Sequence, residues 1–184
     1  MNEDQIDSVL AYWFTNQNDP TDQWNASLWF FGGEEVDAYI LQHYSHLMET
    51  VSSALRNPQS SPSASWLSPK GKVAAIILLD QFPRNAYRGS SRMLQYDELA
   101  GSLAKELFED REVPFESLPW THRLFVLICL THMEDEFSVN QAAIGLSALG
   151  AQLSQDPQVY APVLVTRLKR VFKSTEEHLA VIKR

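Results

Sequence analysis

The chain has 184 residues, 45% hydrophobic and 21% charged, enough for one domain with a core of its own. Lys plus Arg is 15 and Asp plus Glu is 23, a net charge of -8, which excludes a general nucleic-acid or anionic-membrane binder. Seven glycines argue against a turn-rich all-β chain and a glycine-rich nucleotide site, and a lone cysteine excludes an internal disulfide.

The acidic start Met1-Asn2-Glu3-Asp4 lacks the positive region of a signal peptide. No apolar run approaches the roughly 20 residues that span a bilayer. The expectation is a cytoplasmic protein without a membrane segment. Ile6, Val9, Leu10, Trp13 and Phe14 recur at i, i+3, i+4, i+7 and i+8, one stripe of an amphipathic helix. Trp24, Trp29, Phe30 and Phe31, followed by Gly32-Gly33, read as an aromatic-anchored loop or short turn. A long helix follows over 34–56, with Val36, Ile40, Tyr44, Leu47, Val51 and Leu55 inward and Glu34 and Glu35 at the positive end of its dipole. His43, three residues before His46, falls on the apolar side and is expected as a core histidine.

Residues 57–65 read as a loop, and Ser68-Pro69 as an N-cap with Pro at the first helical position. The helix over 70–82 is apolar all round, which makes it the central one, and Pro83 is expected to end it. A helix over 96–108 carries Leu99, Leu103 and Leu107. Pro119 opens the helix holding the run Leu124 to Leu130, where Cys129 is expected as a buried small hydrophobe. Ser138 is expected to cap a helix through Ala142, Ile144, Leu146, Leu149 and Leu153. Pro162 opens another with Val165, Leu168, Val171 and Phe172 inward, and Ser174 with Glu177 forms a capping box for a last one. Arg167, Lys169, Arg170 and Lys173 read as a solvated basic face. The fold class is all-α: a single-domain helical array over 1–184, resembling tetratricopeptide repeats, of about seven to nine helices.

One segment has chemical character. Asp80-Gln81-Phe82-Pro83-Arg84-Asn85 continues through Tyr87-Arg88-Gly89, and Arg92 makes three arginines within nine residues of an acidic chain. Asp80 shares a face with Val73, Ile76 and Ile77, so its carboxylate must be paired or hydrogen-bonded. Arg84 and Arg88 are the nearest cations. Either the cluster is a bracket that holds the turn, or Asp80, Gln81, Arg84, Asn85 and Arg88 face a cleft where the arginines recognise a carboxylate or phosphate. A second cluster, His132-Met133-Glu134-Asp135-Glu136, places His132, Asp135 and Glu136 at i, i+3 and i+4. His132 with Glu134 is the candidate acid–base pair of a small hydrolase-like enzyme in which the arginines hold an anionic substrate. With no second histidine at ligand spacing, no metal site and no cofactor are expected.

The stretch Ile76 to Asn85, with Tyr87-Arg88-Gly89 and Asp97, resembles the signature of the domain-of-unknown-function 924 family of bacterial proteins. Val9-Leu10 with Tyr12-Trp13-Phe14, Trp29-Phe30 followed by Asp37, and His132 with Glu134 are similar to further elements of that family, with Met133 where the family has Ser. The resemblance implies an all-helical fold similar to tetratricopeptide repeats and no particular reaction. This chain departs from the family in lacking its late arginine-rich segment over about 160–173. The leading expectation is a non-enzymatic binding module for an acidic peptide or small anion, with no nucleic acid as partner. The competing ones are the small enzyme and an assembly role in which aromatics such as Trp24 meet a partner.

Overall fold

The computed structural model describes residues 2–15, 25–57, 63–155 and 173, and among these every regular element is helical. The protein is all-α. Its contacts cluster into two compact units, Met1–Leu107 and Phe108–Arg184.

In the first unit, α1 (Glu3–Phe14) opens with a capping box. Asn2 Oδ1 accepts from the Gln5 amide at 3.2 Å, and Gln5 Oε1 accepts from the Asn2 amide at 3.0 Å. Ile6, Val9, Leu10 and Trp13 are buried, as the stripe predicts. The expected aromatic loop is a short helix, α2 (Ala26–Phe31). Trp29 Nε1 donates to the Trp13 carbonyl at 2.8 Å, which ties α2 to the end of α1. Trp24 lies outside the described residues.

Helix α3 (Glu34–Arg56) buries Ile40, Tyr44, Met48, Val51 and Ser52. The stripe is centred closer to Met48 than expected, which leaves Val36 and Leu47 on its edge, half-buried. His43 is exposed rather than in the core and lies against Tyr39, ring centroids 4.2 Å apart. It sits about 100° round the helix from the centre of the buried stripe.

Residues 58–62 lie outside the described ones. Beyond them α4 (Ala64–Leu67) buries Trp66, and Ser68 caps α5 (Pro69–Ile76) by accepting from the Gly71 amide at 3.1 Å. Pro83 does not end the central helix. The path continues through a π-helical turn, Ile77–Gln81, into α6 (Phe82–Ala86). In a regular helix the proline ring would strike the carbonyl four residues back. Here the turn widens, and the Phe82 amide reaches the Ile77 carbonyl, five residues back. A 3₁₀ turn (Ser91–Leu94) then leads to α7 (Asp97–Phe108), whose Leu103 and Leu107 are buried.

In the second unit, α8 (Trp120–Thr131) is buried from Arg123 to Leu130, Cys129 included, and packs on α9 (Glu136–Leu153). The cap of α9 is Asp135, not Ser138. The Asp135 carboxylate accepts from the Ser138 amide at 2.9 Å and from its hydroxyl at 2.8 Å. A carboxylate suits the positive helix end better than a hydroxyl, and Ser138 becomes its donor. Ile144, expected inside, is 65% exposed, about 200° round the helix from buried Ala142. The helices expected from Pro162 and from Ser174, and Arg167, Lys169 and Arg170, fall outside the described residues. Lys173 is helical and exposed. No described helix is long and apolar enough to cross a membrane.

Candidate functional site

Asp80 is fully buried in the π-helical turn. Its Oδ1 lies 2.9 Å from Arg84 Nη1, and its Oδ2 accepts from Gln81 Nε2. The necessity read from the sequence, that a carboxylate among apolar neighbours be neutralised, is met by Arg84. The same guanidinium then grips Asp97 on α7 with two hydrogen bonds, Nη1 to Oδ1 at 2.9 Å and Nη2 to Oδ2 at 2.8 Å. Its Nη1 also donates to the Asp80 carbonyl at 2.8 Å. One arginine thus serves two carboxylates, and it is turned inward.

Arg88 does not join Asp80. It follows the end of α6 in an exposed turn and reaches across to α3, where Nε donates to Asp37 Oδ2 at 2.8 Å and Nη2 to Oδ1 at 3.1 Å. That contact holds its pKa above the ordinary arginine value, chiefly through the hydrogen bond to Asp37. Asn85 links the two arginine centres. Its Nδ2 donates to the Gln81 carbonyl at 3.0 Å, and its Oδ1 accepts from Arg88 Nη2 at 3.0 Å. The chain Asp97–Arg84–Asp80–Gln81–Asn85–Arg88–Asp37 clamps α3, α6 and α7 together. Arg92 stands apart, its guanidinium 4.1 Å above the Tyr87 ring.

The α3 end of this chain backs a cleft of about 550 Å³. Tyr12, Leu28, Phe31, Gly32 and Val36 line it, and Glu34 and Glu35 stand in its wall. Gly32 permits the close approach. A Cβ there would lie 3.2 Å from Val36 Cγ1 and 3.4 Å from Asn85 Oδ1. Tyr12 stacks on Tyr39 with ring centroids 5.0 Å apart. Burial pushes its hydroxyl up to about 12, with Tyr39, Tyr44 and Asp37 adding to the shift. Near neutrality it is therefore a neutral phenol.

The structure brings Asp80, Gln81, Arg84, Asn85 and Arg88 together but turns all except Arg88 inward. His132 and Glu134 belong to the second unit. Helix α8 stops at Thr131, so His132 closes it, Glu134 is exposed in the turn beyond, and Asp135 is spent as the α9 cap. The three-residue helical face expected for His132, Asp135 and Glu136 does not form. Among the described residues no group of three or more His, Cys, Asp or Glu side chains is placed to hold a metal ion.

The family resemblance singled out Tyr12, Asp37 and Asp97 but assigned them no role, and local spacing could not, because each meets its partners only through tertiary packing. The aromatic run ending in Phe31 before Gly32-Gly33 drew notice only as a loop, and it is the structure that leaves Phe31 65% exposed in the cleft lining.

A family model described as a bacterial protein of unknown function (DUF924) matches residues 9–184. The solved structure of a protein of unknown function from Agrobacterium tumefaciens is similar, with a TM-score of 0.63 at 20% identity, covering 97% of this chain and 82% of that one. That likeness concerns the fold alone. No curated protein matches the chain.

Proposed function

The chain belongs to the DUF924 family of bacterial proteins of unknown function, so its role must be read from its own side chains, and we propose that it is a binding module for a small organic molecule. The observation that carries this reading is the apolar cleft at the α2–α3 corner, backed by a fixed polar chain. About 550 Å³ lies within the range of small-ligand sites, which pair apolar walls with a few placed polar groups. The polar side chains of its lining are Tyr12, Asn25, Ser27, Glu34 and Glu35, the last two bringing carboxylates. Asp80, Gln81, Arg84 and Asn85 act as the frame behind that wall rather than as ligand contacts. With its partners already in place, the wall loses little freedom when a ligand enters.

A second reading keeps the acidic peptide or small anion, now at the outward arginines. Its support is that the Arg88 side chain is 56% exposed and that its Nη1 is engaged by no described residue, close in sequence to exposed Arg92.

The test uses 2-phenylethanol as a neutral aromatic probe, followed by amide chemical shifts on the full chain. Binding should perturb residues 28–36 and weaken about tenfold in Phe31→Ala, the effect of losing roughly 1.4 kcal/mol of apolar contact. Shifts confined elsewhere, or an unchanged affinity in Phe31→Ala, would sink the cleft. Inorganic phosphate that perturbs 87–92, with the effect lost in Arg92→Ala, would favour the second reading.

A further inference from the structure

We infer that the cleft selects a ligand bearing a positive charge, an aromatic or aliphatic amine; the inference rests on the cleft being the binding site. The arginine-rich sequence around Arg84 suggests the opposite sign, and the geometry reverses it. Arg84 is shared by Asp80 and Asp97, and Arg88 is gripped by Asp37. Neither arginine lines the cleft, and among the described residues no Lys or Arg does. Glu34 and Glu35 do line it. Both are exposed, and neither forms an ion pair among the described residues.

The opposing term is the N-terminal pole of α3, which opens at the same corner behind Gly33. A helix end is worth about half a positive charge. Two carboxylates without an ion pair among the described residues outweigh it about fourfold, which makes the potential of the described cleft wall negative. The aromatic walls fit the same ligand. Tyr12 and Phe31 both line the space, and an ammonium group over an aromatic face gains from the ring quadrupole. The Tyr12 phenol stays protonated and adds no competing charge. The predicted pose puts the apolar body against Leu28, Phe31 and Val36 and the ammonium toward Glu34 and Glu35.

A matched trio separates charge from shape: 2-phenylethylamine, 2-phenylethanol and phenylacetate, each titrated into the full chain and followed by amide chemical shifts. The amine should bind about tenfold more tightly than the alcohol, and phenylacetate more weakly than either. The amine's advantage should vanish in Glu34→Gln/Glu35→Gln and shrink at 1 M salt, where the screening length is about 3 Å. An unchanged affinity of that variant for the alcohol certifies that the cleft is intact. Equal binding of amine and alcohol to the wild type overturns the charge inference and leaves the cleft standing. Tightest binding by phenylacetate overturns the inference and returns the ligand to the acidic class. No perturbation of 28–36 by any of the three at millimolar concentration overturns the cleft and the inference together.

Discussion

Arg84 and Arg88 are four residues apart and of the same chemistry, yet the structure uses them in opposite ways. The Arg84 side chain is 18% exposed and neutralises a carboxylate with no access to water. Removing it strands that charge, and stranding one partner of a buried pair costs about 3–5 kcal/mol. The Arg88–Asp37 pair is exposed on the arginine side, where an ion pair is worth about 1 kcal/mol at most. Arg84→Met should therefore lose about 3–5 kcal/mol in urea unfolding and Arg88→Met about 1 kcal/mol. Equal losses would refute the division into a buried frame and an outward contact. The demand that Asp80 be paired was legible, because a carboxylate at a core position of a helix must find a donor and Arg84 stands one turn on. The identity of Arg88's partner was not, because Asp37 lies 51 residues away and no local spacing announces it.

Among the elements, the central helix shows why a local rule fails inside a packed structure. Proline forbids one hydrogen bond and one carbonyl position, and a break is only one way to satisfy it. The π-helical turn is another, and it keeps the polar segment 80–85 on a helical path against α3. The start of the same helix depends on Gly71. A Cβ there would run into the Ser65 carbonyl and lie 2.5 Å from Trp66 Cα, both backbone atoms that cannot swing aside. Gly71→Ala should cost about 3 kcal/mol, the upper end for overpacking, read as a lower urea midpoint with an unchanged slope. A loss of under about 0.5 kcal/mol would show that α4 and α5 do not meet this closely. Gly71 looked unremarkable in the sequence, since its neighbour Ser68-Pro69 already explained the helix start. The close approach exists only because α4 folds back onto α5.

For the molecule as a whole, pH is the most direct probe. His122 in α8 is held near pKa 4 by burial, against an ordinary value of 6.5. Above pH 6.5 it is neutral folded or unfolded and contributes nothing to pH dependence. Below 6.5 the unfolded chain takes up a proton that the folded chain refuses until about pH 4. Stability therefore falls through that window, by up to about 3 kcal/mol from this residue. Urea unfolding from pH 7 to pH 4 should show this loss in the wild type and a shallower one in His122→Gln. Parallel profiles would mean His122 is open to water. The same window contains the isoelectric point near 5.1, where the charge of -8 that keeps the chain dispersed disappears, so solubility should fall alongside stability.

The all-α class and the stripes of the longer helices were determined by sequence alone, because apolar periodicity acts over one or two turns of chain, whereas α2, the passage through Pro83 and the Asp135 cap were not. The need to pair Asp80 was also determined by sequence, since burying an isolated charge is costly in any fold. Tertiary structure alone decided which carboxylate each arginine takes, that Tyr12 and Phe31 share a cleft, and that the charge of its described wall is negative. Those outcomes depend on distances between helices far apart along the chain, and Coulomb and packing energies respond to distance in space rather than to separation in sequence.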